Sequence, residues 1–243
     1  SVKKIEDCKF EIDEEDIDDY MFSDGVEPEG MSGVFTRCEI GKITFEEGSK
    51  LKKIGNGAFA GAKVGEIEIP ASVIEIGDGA FYRVCGKEIE KDNELICEGV
   101  KITFKKGSNL NKIGRGAFNR ALIEEKIIIP SSVEEIGAYA FNLSVRDEKS
   151  IGAKITFAQF KNLKKIGKGA FEGANLGEEE EIIIPEGIEE IGAYAFGGCK
   201  VGKITFEKGI NLKEIGHYAF YGVNLGEEII ILKSVEEIGE SAF

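Results

Sequence analysis

The chain has 243 residues and is acidic, with 45 Asp and Glu against 31 Lys and Arg and a formal net charge of −14. This charge repels phosphate backbones and anionic lipid surfaces, so we expect no nucleic-acid partner. No apolar run reaches the roughly 18 to 20 residues that a membrane-spanning helix needs, so we expect no membrane insertion by this segment.

One phrase, Ile-Gly-x-x-Ala-Phe, recurs along the chain at intervals of 22 to 37 residues. Eight copies are complete, and a ninth, degenerate copy at 17–22 keeps only the Ile and the Phe. A period of this size predicts a repeat solenoid of about nine units, and its continuity indicates a single domain over residues 1–243. The eight complete copies end at Phe59, Phe81, Phe118, Phe141, Phe171, Phe196, Phe220 and Phe243.

Short β-favouring runs of two alternating types lie between these phrases. Lys-Ile-Thr-Phe occurs at 42–45, 101–104, 154–157 and 203–206, and Ile-x-Ile-Pro at 67–70, 127–130 and 182–185. A fourth run of the second type, at 229–232, lacks the proline. Each run predicts a short parallel strand. Within Ile-Thr-Phe and Ile-x-Ile, the first and third residues should point inward and the middle residue outward.

The Gly of the phrase recurs eight times, which predicts either a positive φ or a close approach of two backbones. The Ala-Phe pair leaves no room for a full helix before the next strand, so we expect a short helical or 3₁₀ turn. Three residues after the Phe stands a small residue, such as Ala62, Ala174 or Cys199, and we expect this column to be buried.

Three stretches depart from the regular spacing. Residues 1–39 are predicted to form a degenerate N-terminal repeat with an insertion, and residues 82–100 and 142–153 are predicted to be further insertions. Cys38-Glu39 and Cys97-Glu98 each stand 16 residues after the preceding Phe of the phrase, which indicates that 23–41 and 82–100 are equivalent. Insertions of this kind form loops on one face of a solenoid.

The full pattern is a strand followed by Pro-x-x-Val/Ile-x-x-Ile-Gly-x-x-Ala-Phe-x-x-Cys, complete from Ile182 to Cys199. It resembles the BspA-like leucine-rich repeats of bacterial surface proteins, over about residues 40–243. The resemblance implies a right-handed, horseshoe-type leucine-rich-repeat solenoid with a parallel sheet on one side. It also implies a protein-binding or adhesive role and an extracellular or cell-surface location, and it supplies no catalytic residues.

The outward-facing strand positions form a strip of Thr and Ile flanked by lysines. One interpretation is that this strip receives a protein partner; the other is that β-branched side chains only stack along the ladder. The candidate binding residues are Lys42, Thr44, Lys101, Thr103, Lys126, Ile128, Lys154, Thr156, Ile183, Lys203, Thr205 and Ile230.

Five cysteines leave at least one thiol free if the others pair. Cys85 and Cys97 could close a loop of about 13 residues, which would stabilise the fold by about 3 kcal/mol, or could remain two reduced thiols packed under a loop. Cys8 and Cys38 could pair near the N-terminus, and Cys199 is expected to be a buried free thiol. No two cysteines have zinc-ligand spacing, so we expect no metal site.

The remaining polar features carry no recognisable chemistry. His217 occupies a variable position of the phrase and is expected to be an exposed surface residue. The acidic runs at 13–19 and 178–181 lack the spacing of a calcium loop and are expected to be solvated. Tyr139, Tyr194 and Tyr218 recur at one position and are expected at the rim of the core.

These observations favour a non-catalytic binding module without a cofactor, presenting an extended face to a protein or another macromolecule. The alternative is a structural segment that associates with itself, because the last repeat ends at Phe243 without a polar cap. A hydrolase with paired carboxylates is the weakest hypothesis, since the strand positions offer only Glu68 on the sheet face.

Overall fold

The computed structural model describes residues 34–35, 38–91, 94–124, 126–143, 154–157, 161–226, 230–231 and 233–243. None of these residues forms a helix that could cross a membrane. The strands are β1 (Glu39–Ile43), β2 (Lys53–Ile54), β3 (Lys63–Ile69), β4 (Glu75–Ile76), β5 (Glu88–Lys91), β6 (Glu94–Cys97), β7 (Lys101–Phe104), β8 (Lys112–Ile113), β9 (Lys126–Ile129), β10 (Glu135–Ile136), β11 (Lys154–Phe157), β12 (Lys165–Ile166), β13 (Asn175–Ile184), β14 (Glu190–Ile191), β15 (Lys200–Phe206), β16 (Glu214–Ile215) and β17 (Glu237–Ile238).

The longer strands form one row of parallel strands, here called the first sheet. Its order is β1-β3-β7 followed by β9-β11-β13-β15, and a single parallel bridge between Val100 and Ile123 joins the two groups. Within β9 the exposure alternates, with Ile127 and Ile129 buried and Ile128 exposed. The predicted solenoid with short parallel strands is therefore confirmed, and so is the inward orientation of these two isoleucines.

A second parallel sheet runs along the molecule and was not predicted. It consists of eight strands of two residues each, in the order β2-β4-β8-β10-β12-β14-β16-β17, with no interruption. Each strand is a Lys or Glu followed by the Ile of the repeated phrase, and these Ile residues are in register. All are buried except Ile238 in β17. The Ile-Gly phrase thus begins as a strand rather than as part of a turn.

The core between the two sheets contains a ladder of phenylalanine rings. Neighbouring rings are stacked with centroids 5.0 to 5.8 Å apart and interplanar angles of 3 to 17°. Stacked aromatic pairs contribute about 0.5–1.5 kcal/mol beyond the burial of their surface. The ladder therefore couples each repeat to both neighbours. Its members are Phe35, Phe59, Phe81, Phe118, Phe141, Phe171, Phe196, Phe220 and Phe243.

The Ala-Phe segments are hydrogen-bonded turns, and the described residues contain no helix, so the expected helical or 3₁₀ turns are not observed. Alternate amides serve two purposes. Ala58 and Ala60 donate to the carbonyl three residues earlier in their own repeat, whereas Gly57 and Phe59 donate to Asp78 and Ala80 of the next repeat. Hydrogen bonds within one repeat thus close the turn, while the alternate amides connect that turn to the next repeat.

The recurrent glycine is needed for close approach and not for a positive φ. The φ > 0 position lies two residues later, at Gly57, Gly79, Gly116 and Gly169, and is also occupied by Tyr139, Tyr194, Tyr218 and Ser241. A Cβ added to Gly137 would lie 2.6 Å from the backbone nitrogen of Arg115 and 2.6 Å from the carbonyl carbon of Gly114. Because each such glycine packs on the backbone of the preceding repeat, no side chain fits between them.

The start of the described chain has a regular repeat turn. The Phe35 ring stacks on the Phe59 ring with centroids 5.0 Å apart. The backbone amide of Phe35 donates to the Ala58 carbonyl, and that of Cys38 donates to the Phe35 carbonyl. Phe35 and Cys38 thus occupy the Phe and small-residue positions of a repeat, so Cys38 is equivalent to Ala62 and not to Cys97. The degenerate repeat predicted at 17–22 lies outside the described residues.

The predicted insertion at 82–100 contains a hairpin. Tyr82 to Cys85 still belong to the regular turn, with Val84 fully buried, and β5 then pairs antiparallel with β6. The Lys63 ammonium lies 2.6 Å from the Glu88 carboxylate, which links the hairpin to β3. Apart from Asn142 and Leu143, the predicted insertion at 142–153 lies outside the described residues.

Candidate binding face

The outer face of the first sheet carries most of the predicted strip, in three groups set by strand register. Lys42 pairs with Glu66 and Glu66 with Lys101 across β1, β3 and β7. The second group, on β9 and β11, aligns Lys126 with Lys154 and Ile128 with Thr156. The third, on β13 and β15, aligns Glu181 with Lys203 and Ile183 with Thr205. Thr44 follows β1 directly and is exposed.

Carboxylates neutralise part of the lysine column. Glu66 lies 3.0 Å from the Lys42 ammonium and 3.8 Å from that of Lys101. The Lys42 ammonium, with a smaller contribution from Lys101, holds the pKa of Glu66 below its usual value. Lys154 lies 2.6 Å from Glu180, whose pKa it lowers in the same way. These pairs are solvent-exposed, so each contributes little to stability.

Two isoleucines on this face are half exposed: Ile128 at 46% and Ile183 at 48%. Two threonine hydroxyls find partners within the sheet: Thr205 donates to the Glu181 carboxylate at 3.0 Å, and Thr156 donates to the Ile127 carbonyl at 3.4 Å. The face therefore combines apolar surface with both signs of charge. Ile230 is 72% exposed but does not lie in a strand, and the adjoining residues 227–229 and 232 are outside the described part of the chain.

The three groups are separated at two places, where the segment between the small-residue position and the outward Lys or Glu of the strand has additional residues. Three residues lie between Ala62 and Glu66, whereas four lie between Ala121 and Lys126. Strand β7 pairs with β3, and β9 pairs with β11. Beyond the single Val100–Ile123 bridge, β7 and β9 form no ladder with each other. Similarly, β11 and β13 are paired only at Lys154 and Asn175.

A cleft opens at each of these two interruptions. The larger one, between β7 and β9, has a volume of about 580 Å³, and four lysines and one glutamate contribute to its lining; we call it the basic cleft. The smaller one, between β11 and β13, has a volume of about 340 Å³ and is lined by one lysine and three glutamates; we call it the acidic cleft. The basic cleft is lined by Lys101, Ile102, Thr103, Phe104, Lys105, Lys106, Gly107, Ser108, Glu124, Lys126, Ile128, Pro130 and Ser131. The acidic cleft is lined by Thr156, Phe157, Lys161, Leu176, Glu180, Glu181, Ile182, Ile183, Pro185 and Glu207.

The thiols of Cys85 and Cys97 meet at the base of the hairpin, with their sulfur atoms 2.6 Å apart and both cysteines in the free state. Burial, together with the hydrogen bond to Cys97, raises the pKa of the Cys85 thiol to about 12. The two side chains predicted as a possible disulfide are thus neighbours. Cys199 is buried in the small-residue column as a free thiol, and burial raises its pKa to about 12.

Sequence reasoning missed a role for the variable position after the glycine. The side chains of Asn56 and Asp78 accept the backbone amides of Asp78 and Arg115 in the next repeat, at 2.9 and 2.8 Å. His217 is exposed as expected, but its Nδ1 accepts the amide of Glu240 at 2.8 Å in the same way. The signal available in the sequence was the recurrence, at this position, of side chains that can accept a hydrogen bond. Within the described residues, no group of three or more His, Cys, Asp or Glu could hold a metal ion.

The parallel two-sheet repeat with its phenylalanine ladder defines a leucine-rich-repeat solenoid. The model of the BspA type leucine-rich repeat region matches residues 31–144, 95–178 and 148–243, in six copies. The chain therefore belongs to this family, and the resemblance inferred from the repeated phrase is confirmed. The match begins before Phe35, in agreement with the regular turn found there.

The solved structures to which the chain is similar include two bacterial proteins. The pneumococcal vaccine antigen PcpA is 24% identical, with a TM-score of 0.51, over 75% of this chain and 42% of that one. A leucine-rich cell surface protein of Faecalibacterium prausnitzii is 22% identical, with a TM-score of 0.41, over 69% of this chain and 47% of that one. The chain thus spans less than half of either structure. The search of curated proteins gave no match.

Proposed function

We propose that the chain is a non-catalytic binding module that presents the outer face of the first sheet to a protein partner. The observation that carries this proposal is the pair of half-exposed isoleucines, Ile128 and Ile183, in register with threonines on a face that also carries lysines. Solvent-facing strands ordinarily place polar residues at such positions, and exposed apolar surface with a polar rim is typical of protein-binding sites.

The proposal includes the extracellular or cell-surface location that the resemblance implies, since the chain belongs to the BspA type repeat family. Repeat solenoids expose long continuous surfaces, which suits the recognition of another macromolecule. Among the described glutamates of the face, Glu66 and Glu180 pair with lysines and Glu181 accepts a hydrogen bond from Thr205, so the proposal assigns them no catalytic role.

Site-specific photo-crosslinking tests the proposal. A photoreactive side chain is placed at Ile183 in one variant and at Ile74 in another, and each protein is irradiated on the cells that produce it. Ile74 is a matched control because it is 44% exposed but lies beside the second sheet, where its amide bonds to Lys52. We expect a discrete adduct with a different protein from position 183 and none from position 74.

Equal adducts from both positions would contradict the proposal, because the first sheet would then have no special role. Adducts that contain only copies of this chain would favour the alternative, a self-associating structural segment.

A further inference from the structure

The basic cleft results from an interruption in the sheet and is bordered by strand edges. Its walls are β7 and β9, which are joined at the Val100–Ile123 bridge and form no ladder with each other beyond it. The carbonyl of Val100 accepts the amide of Glu124, which lies in a bend just before β9. Strand edges that face such a gap offer backbone donors and acceptors to an added peptide.

The charge of the cleft is opposite to that of the chain. Lys101, Lys105, Lys106 and Lys126 are all exposed, and within the described residues Lys105, Lys106 and Lys126 form no ion pair. Lys101 is 3.8 Å from Glu66, a carboxylate that already lies closer to Lys42. Four lysines collected in one concavity of a protein with a net charge of −14 favour an anionic ligand.

The cleft is not only a charged surface. Ile128, Phe104 and Pro130 provide apolar contacts, and Thr103 and Ser131 provide hydroxyl groups. A volume of about 580 Å³ is within the range of specific ligand sites and holds a short segment rather than a whole domain. A mixed lining of this kind suits a peptide whose acidic side chains alternate with apolar ones.

The rest of the surface argues against a long polyanion. A nucleic acid or sulfated glycan that entered the cleft would continue across a surface whose overall charge repels it. The neighbouring acidic cleft, with Glu180, Glu181 and Glu207 in its lining, would face such a chain on the same sheet. A short acidic segment avoids this repulsion.

We propose that the basic cleft between β7 and β9 binds a short acidic segment of a partner protein in extended conformation. This inference rests on the proposed function and adds the chemistry of the partner. Lys101 and Lys126 lie on opposite walls, where they pair with carboxylates of the segment, and Ile128 contacts an apolar side chain between them.

Binding of a defined probe tests the inference. A fluorescent octapeptide of alternating glutamate and valine is titrated by anisotropy against the whole chain at two salt concentrations. The double variant Lys101→Glu/Lys126→Glu should bind at least about tenfold more weakly, because it replaces two ammonium groups that pair with the peptide by carboxylates that repel it. Binding to the unaltered protein should weaken as salt increases.

The matched control is Lys52→Glu/Lys213→Glu, which makes the same charge change at two exposed lysines away from the cleft. It should bind the octapeptide within about twofold of the unaltered protein. An equal loss in both double variants, or equal binding of the glutamine–valine octapeptide, would overturn the inference. So would no binding at millimolar peptide, or tighter binding of a heparin-derived hexasaccharide.

This result is separable from the crosslinking experiment, because Ile183 lies in the acidic cleft and not in the basic one. A protein adduct at position 183 without binding of the acidic peptide would leave the binding-module proposal standing and remove the inference about the basic cleft.

Discussion

The two sheets of this solenoid are built from the same repeats but tolerate variation very differently. In the second sheet every strand is two residues long and ends in an Ile that Gly follows, and the sheet has no interruption. The first sheet has strands of four to ten residues, a hairpin insertion and two interruptions. In each repeat the strand of the second sheet therefore fixes the stacking. The strand of the first sheet is free to vary in length and to border clefts.

The reason lies in the backbone distances. Gly77, Gly114 and Gly137 each donate to an Ile carbonyl of the preceding repeat at 2.8 Å, with no space for a side chain. An additional residue in one strand of the second sheet would displace this contact with the neighbouring repeats. The first sheet, by contrast, accommodates one additional residue before Lys126 and three within β13 before Glu181.

The largest effect is expected in the phenylalanine ladder. Phe118→Ala should lower the free energy of unfolding by about 3–5 kcal/mol, because the ring is fully buried between Phe81 and Phe141 and its removal leaves a cavity. Phe104→Ala, at a partly buried position of the first sheet, should cost less. Denaturant unfolding of both variants measures the difference, and equal costs would show that the ladder has no special weight.

The next effect concerns the hairpin of the first sheet. We propose that Cys85 and Cys97 form a disulfide when a small disulfide such as oxidised glutathione is supplied, each thiol losing its proton and the oxidant being reduced to two thiols. Closing a loop of about 13 residues should stabilise the fold by about 3 kcal/mol. Thiol titration of the denatured protein before and after oxidation checks the bond.

The double variant Cys85→Ser/Cys97→Ser is the control for this prediction. Its unfolding should not respond to the oxidant, whereas that of the unaltered protein should. If the unaltered protein loses no thiols on oxidation, the cysteines are reduced packing residues.

A smaller effect is expected from a glycine substitution that distinguishes the sheets. Gly137→Val should destabilise the fold by about 1–3 kcal/mol, because its Cβ would overlap the backbone of Gly114 and Arg115. Gly41→Val in β1 should have little effect, because no described atom lies within 4 Å of the added Cβ and valine favours a strand. Thermal unfolding of the two variants provides the test, and similar melting temperatures would refute the close-approach account.

The smallest effect is electrostatic. Burial raises the pKa of Glu172, although its carboxylate accepts a hydrogen bond from Asn142 at 2.8 Å. A raised folded-state pKa means that the contribution of Glu172 to stability is full below its unfolded pKa and is lost as pH rises through the folded pKa. Glu172→Gln keeps an acceptor for Asn142, so it should stabilise the fold slightly at neutral pH and not in acid. Unfolding at pH 7 and at pH 3 compares the two conditions.

Much of the fold could be predicted because its signal repeats. The Ile-Gly-x-x-Ala-Phe phrase revealed the solenoid, and the inward positions of strands such as 127–129 followed from alternation. The second sheet was missed because a strand of two residues is too short to show any alternation. Phe35 was missed because its repeat lacks the Ile-Gly phrase, so the first unit was placed at 17–22, which lies outside the described residues.

The candidate site was less predictable for a different physical reason. The residue types of the strip could be taken from the strands, but the interruptions depend on one additional residue before Lys126 and three before Glu181, which look like ordinary variation in loop length. The positive φ position was hidden because the residue there differs between repeats, being glycine at Gly116 and tyrosine at Tyr139.

Native-state hydrogen exchange, read residue by residue, tests the contrast between the two sheets most directly. The amides of Gly77, Gly114 and Gly137 in the second sheet should exchange only through global unfolding. The amides of β7 and β9 that face the basic cleft should exchange far faster and should slow when the acidic octapeptide is added. Equal protection of both sheets, with no change on adding the peptide, would contradict the division between a fixed second sheet and a variable, binding first sheet.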